Sequence, residues 1–270
     1  MSVGGSVTLE GYYYGIVGNG DRRDTEITVN GGTIKGVKEN DCTGIYHPQK
    51  GNLTISGGTI EGATGIYVKS GDVQASVTAG TIKGVGTNCK AYDPAREGDG
   101  CDPTGDALVI DNCGYPGGQP TVEINGGTFI SDHYKAVASY AKTGFTPITG
   151  FIHGGTFSDE SAIKYAAKDA EITVKLEANR TGTGVFVDKN LNQTITFDLN
   201  GKTYTDLGSG IAVTSFGVAD DLWQEAVKAQ IGQVQHMSNL YYTAPCAELA
   251  ELLCEKTGMK KVFFGNSGAE

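Results

Sequence analysis

The chain is poor in several things, and each shortage excludes a class of protein. Proline occurs only 7 times in 270 residues, which excludes collagen and proline-rich linkers. Basic side chains are outnumbered, 21 Lys and Arg against 31 Asp and Glu, for a net charge of −10. Phosphate backbones and anionic membrane surfaces repel such a chain, so neither nucleic acid nor a charged bilayer is an expected partner. No apolar run is long enough to span a bilayer. The opening MSVGGSVTLEG has neither a basic n-region nor an apolar h-region, so no signal peptide is expected and the chain, as written, reads as cytoplasmic. The six cysteines form no C-x-x-C and no metal-type cluster. Cys89, Cys101 and Cys113 fall in or beside one loop and could pair in an oxidising compartment, although free thiols are the simpler reading.

Glycine is abundant, 41 residues against an ordinary usage of about 7%, and it is patterned. EITVNGGTIKG (Glu26 to Gly36) returns as NLTISGGTIEG (Asn52 to Gly62), ASVTAGTIKG (Ala75 to Gly84), VEINGGTFIS (Val122 to Ser131) and FIHGGTFSD (Phe151 to Asp159). Each copy is followed by a shorter apolar element, such as TGIYH around Ile45, TGIYV around Ile66 or DALVID around Leu108. Apolar and polar residues alternate with period two, the signature of half-buried strands. One repeat thus predicts three short strands, ITVNG, GTIKG and TGIYV, with the glycine pair at the corner between the first two. In register, Ile27, Leu53, Val122 and Ile152 make one interior column, and Ile34, Ile60, Ile82, Phe129 and Phe157 a second. Ile16, Ile45, Ile66, Leu108, Val137, Ile163 and Val185 make a third.

Repeats of this length and pattern predict an all-β right-handed parallel β-helix, a solenoid, over residues 1–205. The recurring "ItisGGtI…TGIyv" resembles the β-helices of bacterial surface and adhesin-like proteins. That resemblance implies an exported, cell-surface parent and a carbohydrate or cell-surface ligand. The same scaffold carries enzymes, binders and inert spacers, so it implies little about activity.

Chemistry on the repeat region would need converging carboxylates. The richest acidic stretch, Asn88 to Asp111, holds Asp93, Glu97, Asp99, Asp102, Asp106 and Asp111. Asp99, Asp102 and Asp106 are weak calcium or catalytic candidates, since the spacing matches no EF-hand, and a solvated acidic loop is the plainer reading. Tyr46 and Tyr67 occupy equivalent places in successive repeats, with Tyr12, Tyr13 and Tyr14 one repeat earlier. Stacked tyrosines can hold sugar rings, but stacking that only stabilises the repeat explains them more simply. His47, His133 and His153 are scattered and read as surface residues.

After Gly208 the repeat stops. ADDLWQEAVKAQIGQVQ (Ala219 to Gln235) has helical spacing, with Asp220 and Asp221 suited to its first turn. A second helix is predicted over Pro245 to Thr257, with Leu249, Leu252 and Leu253 inward and Gly258 as its stop. KKVFFG (Lys260 to Gly265) reads as a buried strand running into Asn266-Ser267-Gly268-Ala269-Glu270. A strand entering N-S-G-A is a way to present backbone amides and a hydroxyl to a phosphate.

TDLGSGIAVTSFG, HMSNLYYTAP, LAELLCEKTG and KVFFGNSGAE, in this order, closely resemble the opening of the class III pyridoxal-phosphate aminotransferases, those of the acetylornithine type in particular. The resemblance covers residues from about 198 to 270, with residues 206–270 as the second domain, and implies that Ser267, Gly268 and Ala269 grip the cofactor phosphate, in a family that is homodimeric. The family's Schiff-base lysine, pyridinium partner and substrate arginine lie downstream of N-S-G-A-E. Lys256, Lys260 and Lys261 sit on the wrong elements to substitute. The chain as given is therefore expected to bind no cofactor and to have no catalytic residues. The string Asp198-Leu-Asn-Gly-Lys-Thr-Tyr204 suits both a closing strand of the repeat and the D-x-x-G-K-x-Y-x-D hairpin of the aminotransferases. A chimera joined there is the expectation: a non-enzymatic surface rod carrying an inactive aminotransferase fragment. Two alternatives stand beside it. One is an acetylornithine-type aminotransferase product with a spurious leader; the other is a carbohydrate-active β-helix.

Overall fold

The structure, a computed structural model, describes residues 1–95, 100–182, 187–206, 220–234 and 243–265. The chain divides into two compact units, Met1–Gly208 and Ser209–Glu270.

In the first unit every strand pairing among the described residues is parallel. The largest sheet has ten strands. Its spatial order is Ser2–Val3, Thr25–Gly36, Gly51–Gly62, Val73–Gly84, Thr121–Ile124, Ile152–Phe157, Ala166–Lys175 and Thr194–Asp198. Thr8–Gly11 joins it beside Thr25–Gly36, and Thr128–Ser131 bridges Val73–Gly84 and Ile152–Phe157. A second sheet stacks Tyr14–Val17, Thr43–His47, Thr64–Ser70, Leu108–Pro116 and Val137–Ala141. Arg180–Gly182 and Tyr204–Asp206 form a third, two-stranded sheet.

Register follows the apolar alternation. Ile34, Ile60, Ile82, Phe129 and Phe157 are successive partners, each with 0% exposure, and Phe129 stacks on Phe157 at 5.1 Å. Removing each such side chain from water stabilises the fold by about 1.5–3 kcal/mol. Ile27, Leu53, Ala75 and Val122 form another column. Ile152 does not join it but pairs with Ile124, two residues further along the same inner face. Ile16, Ile45, Ile66, Leu108 and Val137 are in register in the second sheet. Ile163 sits instead in a 3-10 helix, Glu160–Tyr165, and Val185 lies outside the described residues. One outward column alternates in sign, Glu10, Lys35, Glu61 and Lys83. Within it Lys35 and Glu61 make a 3.2 Å ion pair, so neighbouring strands attract rather than repel.

The expected all-β right-handed parallel β-helix is corrected: the elements are parallel sheets accompanied by α-helices, an α/β arrangement. That expectation required three separate strands per repeat. ITVNG and GTIKG instead lie on one twelve-residue strand, Thr25–Gly36, whose register slips at Val29, Asn30 and Thr33. The glycine pair is therefore an irregularity inside a strand, not a corner between two. It still needs glycine, because Gly58 has φ +82° and a Cβ there would meet the Gly31 carbonyl oxygen at 2.8 Å.

In the second unit, helix Asp221–Gln233 starts at Asp220, whose carboxylate accepts the Trp223 N–H at 2.7 Å. Helix Ala244–Thr257 has Pro245 in its first turn and ends at Gly258, in the left-handed region at φ +73°. Neither helix buries a residue. Leu249 and Leu252, expected inward, are 46% and 48% exposed. The strand expected at Lys260–Gly265 is not formed; among the described residues of this unit there is no strand to supply ladder hydrogen bonds, and Phe263 is 84% exposed. Among the described residues no helix is long and apolar enough to cross a membrane.

Candidate functional site

The densest polar chemistry among the described residues lies where the acidic segment meets the second sheet. Period two places Tyr67 and Lys69 on the same side of Thr64–Ser70, opposite to Ile66 and Val68. Lys69 is in register with Asp111 on the next strand, and Asp111 with Tyr140 on the one after. Asp111 is 1% exposed. Its carboxylate accepts from the Tyr67 hydroxyl at 3.1 Å and the Tyr92 hydroxyl at 2.7 Å, with Lys69 Nζ at 3.8 Å. Lys69, fully buried, also donates to the Gly100 carbonyl at 2.7 Å.

A second carboxylate sits beside this one. Asp106, 1% exposed, accepts from the Thr104 hydroxyl at 2.6 Å, the Tyr140 hydroxyl at 2.8 Å and the Lys135 backbone N–H at 2.9 Å. Burial raises its carboxyl pKa, and those three donors oppose the rise. Burial, then the Asp106 charge, pushes the Tyr140 phenol up strongly. The rings of Tyr92 and Tyr140 lie face to face at 4.6 Å, 3° apart, so the two carboxylates share one aromatic bridge. Tyr14 stacks on Tyr46 at 5.7 Å, and Tyr46 meets Tyr67 edge-on at 6.1 Å. Tyr46 and Tyr67 are buried, so their stack braces the sheet rather than presenting a ridge to a sugar.

The acidic segment is exposed over most of its first half, at Asn88, Lys90, Ala91 and Asp93 to Ala95, whereas Asp106 and Asp111 lie at its sheet-facing end with their oxygens occupied by protein donors. Asp102 is half-buried, Asp93 is exposed, and Asp99 and Glu97 lie outside the described residues. Among the described residues no group of three or more His, Cys, Asp or Glu side chains could hold a metal ion, so Asp102 and Asp106 are not brought together as a calcium set. Chemically the cluster fastens the segment to the sheet. Composition gave no hint of it, because its partners come from positions as distant as Lys69 and Tyr140; the shared strand register is the signal that could have found it.

His133 and His153 are exposed as expected, and His153 pairs with Glu123 at 2.7 Å. His47 is the correction, fully buried with neither ring nitrogen hydrogen-bonded. Its strand partner is Val68, and burial lowers its pKa to about 4. It shares the inward face of Ile45, a placement period two already implies.

The aminotransferase-like features fall differently. Ser267, Gly268 and Ala269 lie outside the described residues, as do SGIAV and most of HMSNLYYTAP. Lys256, Lys260 and Lys261 are exposed. The D-x-x-G-K-x-Y-x-D string does not close a hairpin; Tyr204–Asp206 pairs in parallel with Arg180–Gly182, and Thr194–Asp198 with Glu171–Lys175.

Comparison with known proteins agrees with the C-terminal resemblance. The family described as aminotransferase class-III matches residues 175–270. Acetylornithine aminotransferase of Haemophilus ducreyi is 53% identical over 74 residues, 27% of this chain and 19% of that protein. Acetylornithine aminotransferase of Archaeoglobus fulgidus is 51% identical over 74 residues, 27% of this chain and 20% of that protein. The probable mitochondrial acetylornithine aminotransferase of Dictyostelium discoideum is 45% identical over 75 residues, 27% of this chain and 17% of that protein. The chain therefore spans about a fifth of the length of these relatives. No solved structure gives a significant match. These findings overturn the expectation of a non-enzymatic surface rod, since the named relatives are enzymes of amino transfer. The carbohydrate-active alternative likewise finds no support. The aminotransferase class-III match over residues 175–270 begins some twenty residues before residue 198, near which the sequence first suggested it.

Proposed function

We propose that this chain carries the opening segment of a class III pyridoxal-phosphate aminotransferase, and that the reaction it serves is amino transfer from acetylornithine to a 2-oxo acid. The observation that carries the reading is the 53% identity across 74 residues to an acetylornithine aminotransferase, within a family match over residues 175–270. When bound, the family's cofactor supplies an electron sink at the amino-bearing carbon of the substrate. In this reading Ser267 offers a hydroxyl, and Gly268 and Ala269 offer backbone N–H groups, to the cofactor's phosphate. The absence of side chains beyond Cβ at Gly268 and Ala269 lets backbone approach an anion closely. In this reading residues 206–270 are the part that lines the cofactor, and assembly is as a homodimer.

The test uses the native polypeptide that contains Lys175–Glu270, isolated from its source and supplied with pyridoxal phosphate. Acetylornithine-dependent consumption of a 2-oxo acid is expected, together with cofactor retention through gel filtration that Ser267→Ala weakens about tenfold. Absence of both transfer and cofactor retention refutes the reading. Mass spectrometry of the same material shows whether a peptide spanning Gln193 to Val213 joins the repeat to the aminotransferase region.

A further inference from the structure

Three of the six cysteines, Cys89, Cys101 and Cys113, lie in or beside the acidic segment, yet the structure sets one of them against a fourth cysteine from the preceding repeats. Cys42 is 3% exposed, and its Sγ accepts the Ala63 N–H at 3.1 Å. The Ala63 carbonyl in turn accepts the Gly86 N–H at 3.2 Å. A methyl group built on Gly86 would lie 2.2 Å from Cys89 Sγ and 3.4 Å from Ala63 Cα. Cys89 Sγ itself approaches the Asn40 carbonyl, two residues before Cys42, at 3.7 Å. Both thiols therefore lie beside Ala63, Cys42 Sγ at its N–H and Cys89 Sγ next to the Gly86 that its carbonyl holds, although 47 positions separate them in sequence (89 − 42). The segment is held in this position by other contacts. Asn40 Oδ1 accepts the Thr87 and Asn88 N–H groups at 2.7 and 2.9 Å, and the Tyr134 hydroxyl accepts the Cys89 N–H at 2.8 Å. Cys101, by contrast, lies 3.7 Å from the Thr43 hydroxyl and 3.9 Å from the Tyr14 hydroxyl, and the Cys113 thiol turns to the Tyr115 carbonyl at 3.5 Å.

We propose that Cys42 and Cys89 are a redox-sensitive pair, and that a disulfide oxidant such as oxidised glutathione links them and staples the segment that begins at Cys89 to the strand that begins at Thr43. Of the two, the half-buried Cys89 is the thiol an oxidant reaches first, since Cys42 is buried. Its thiolate attacks one sulfur of glutathione disulfide, forming a mixed disulfide and expelling one glutathione thiolate. The Cys42 thiolate then attacks the Cys89 sulfur, forming the internal bond and expelling the second glutathione; each thiol loses its proton to solvent, and two electrons pass to the oxidant. Burial pushes the Cys89 thiol up to about 11 and raises Cys42 as well, so the link forms slowly at neutral pH. The segment so fastened carries Tyr92 and Gly100, which close over Asp111 and Lys69.

The experiment incubates the full chain, native and without denaturant, with oxidised glutathione, followed by alkylation and trypsin digestion. Cleavage after lysine and arginine puts Cys42 in the peptide Glu39–Lys50 and Cys89 in Gly84–Lys90, whereas Cys101 and Cys113 share Glu97–Lys135. The expected product is Glu39–Lys50 joined to Gly84–Lys90, forming about tenfold faster for each pH unit between 7 and 9. Cys89→Ser abolishes it and Cys113→Ser leaves it intact. Gly84–Lys90 joined to Glu97–Lys135, a stable glutathione adduct on Cys89 with Cys42 still alkylated, or no loss of either thiol overturns the proposal.

Discussion

His47 makes the first unit acid-sensitive in a way that can be isolated. The ring is fully buried beside Ile45 and opposite Val68, with no hydrogen bond to either nitrogen. Burial lowers its pKa from 6.5 to about 4, partly opposed by the nearby Gly51 backbone. A depressed histidine pKa means that the unfolded chain binds the proton more readily than the folded one. Stability is therefore complete above pH 6.5 and is lost as pH falls towards 4, where the folded ring also takes its proton. A shift of this size corresponds to about 3 kcal/mol at 1.36 kcal/mol per pH unit, a large share of the ordinary 5–15 kcal/mol of a domain. Asp106, with its raised pKa, acts in the opposite direction, so the histidine must be isolated by difference. Urea unfolding at pH 7.0 and 4.0, followed by far-ultraviolet circular dichroism, compares the native chain with His47→Leu. Tryptophan fluorescence is unsuitable, because the single tryptophan, Trp223, belongs to the second unit. The native chain should lose about 3 kcal/mol more than the variant across that interval, and the variant should be at least as stable at pH 7 because it removes two unpartnered buried nitrogens. Equal losses in the two proteins refute the reasoning.

Other perturbations test the core and the buried ion pair. Ile60→Ala removes the middle of the column from Ile34 to Ile82 and should cost about 2–5 kcal/mol in urea unfolding; a loss under 1 kcal/mol would show that the column is not close-packed. Asp111→Ala should cost about 3 kcal/mol, because it leaves the fully buried Lys69 ammonium without its carboxylate at 3.8 Å. Adding Lys69→Met to it should recover most of that loss, and a double variant no better than the single one would show that Lys69 draws its stability from elsewhere.

Much of the first unit was legible because its signal is periodic. A β-strand alternates faces every residue, so Ile34, Ile60 and Ile82, each one residue after the threonine of the same motif, could be aligned by eye and do align in space. What the pattern did not reveal was continuity: a glycine pair marks an unusual backbone, but whether the chain turns a corner or only slips register depends on strands on either side. The burial of Asp106 and Asp111 was missed for a different reason. Aspartate is usually exposed, and only the tyrosine, threonine and lysine groups that converge on Asp106 and Asp111 make their burial tolerable. Those groups come from other strands, beyond the reach of local composition.

Burial falls along the chain, and this decides which signals survive at its C-terminal end. Val174 is completely buried, whereas its strand partner Phe197 is 39% exposed, and the two helices bury nothing. Isolated helices of 13 and 14 residues are marginal in water, so packing does not set their limits here. Local chemistry does: the Asp220 cap, Pro245 in a first turn and Gly258 at a left-handed terminus. Each such device contributes about 0.5–2 kcal/mol. That is enough to place a boundary but not to hold a helix against fraying. Hence the helix ends could be read from sequence to within two residues, while the inward direction expected of Leu249 and Leu252 could not. Direction is a property of the surface a helix covers, and the 74 residues that share half their identities with an acetylornithine aminotransferase make up only 19% of that protein. In the proposed reading, the apolar faces of these helices are matched to surfaces supplied by other parts of such an enzyme.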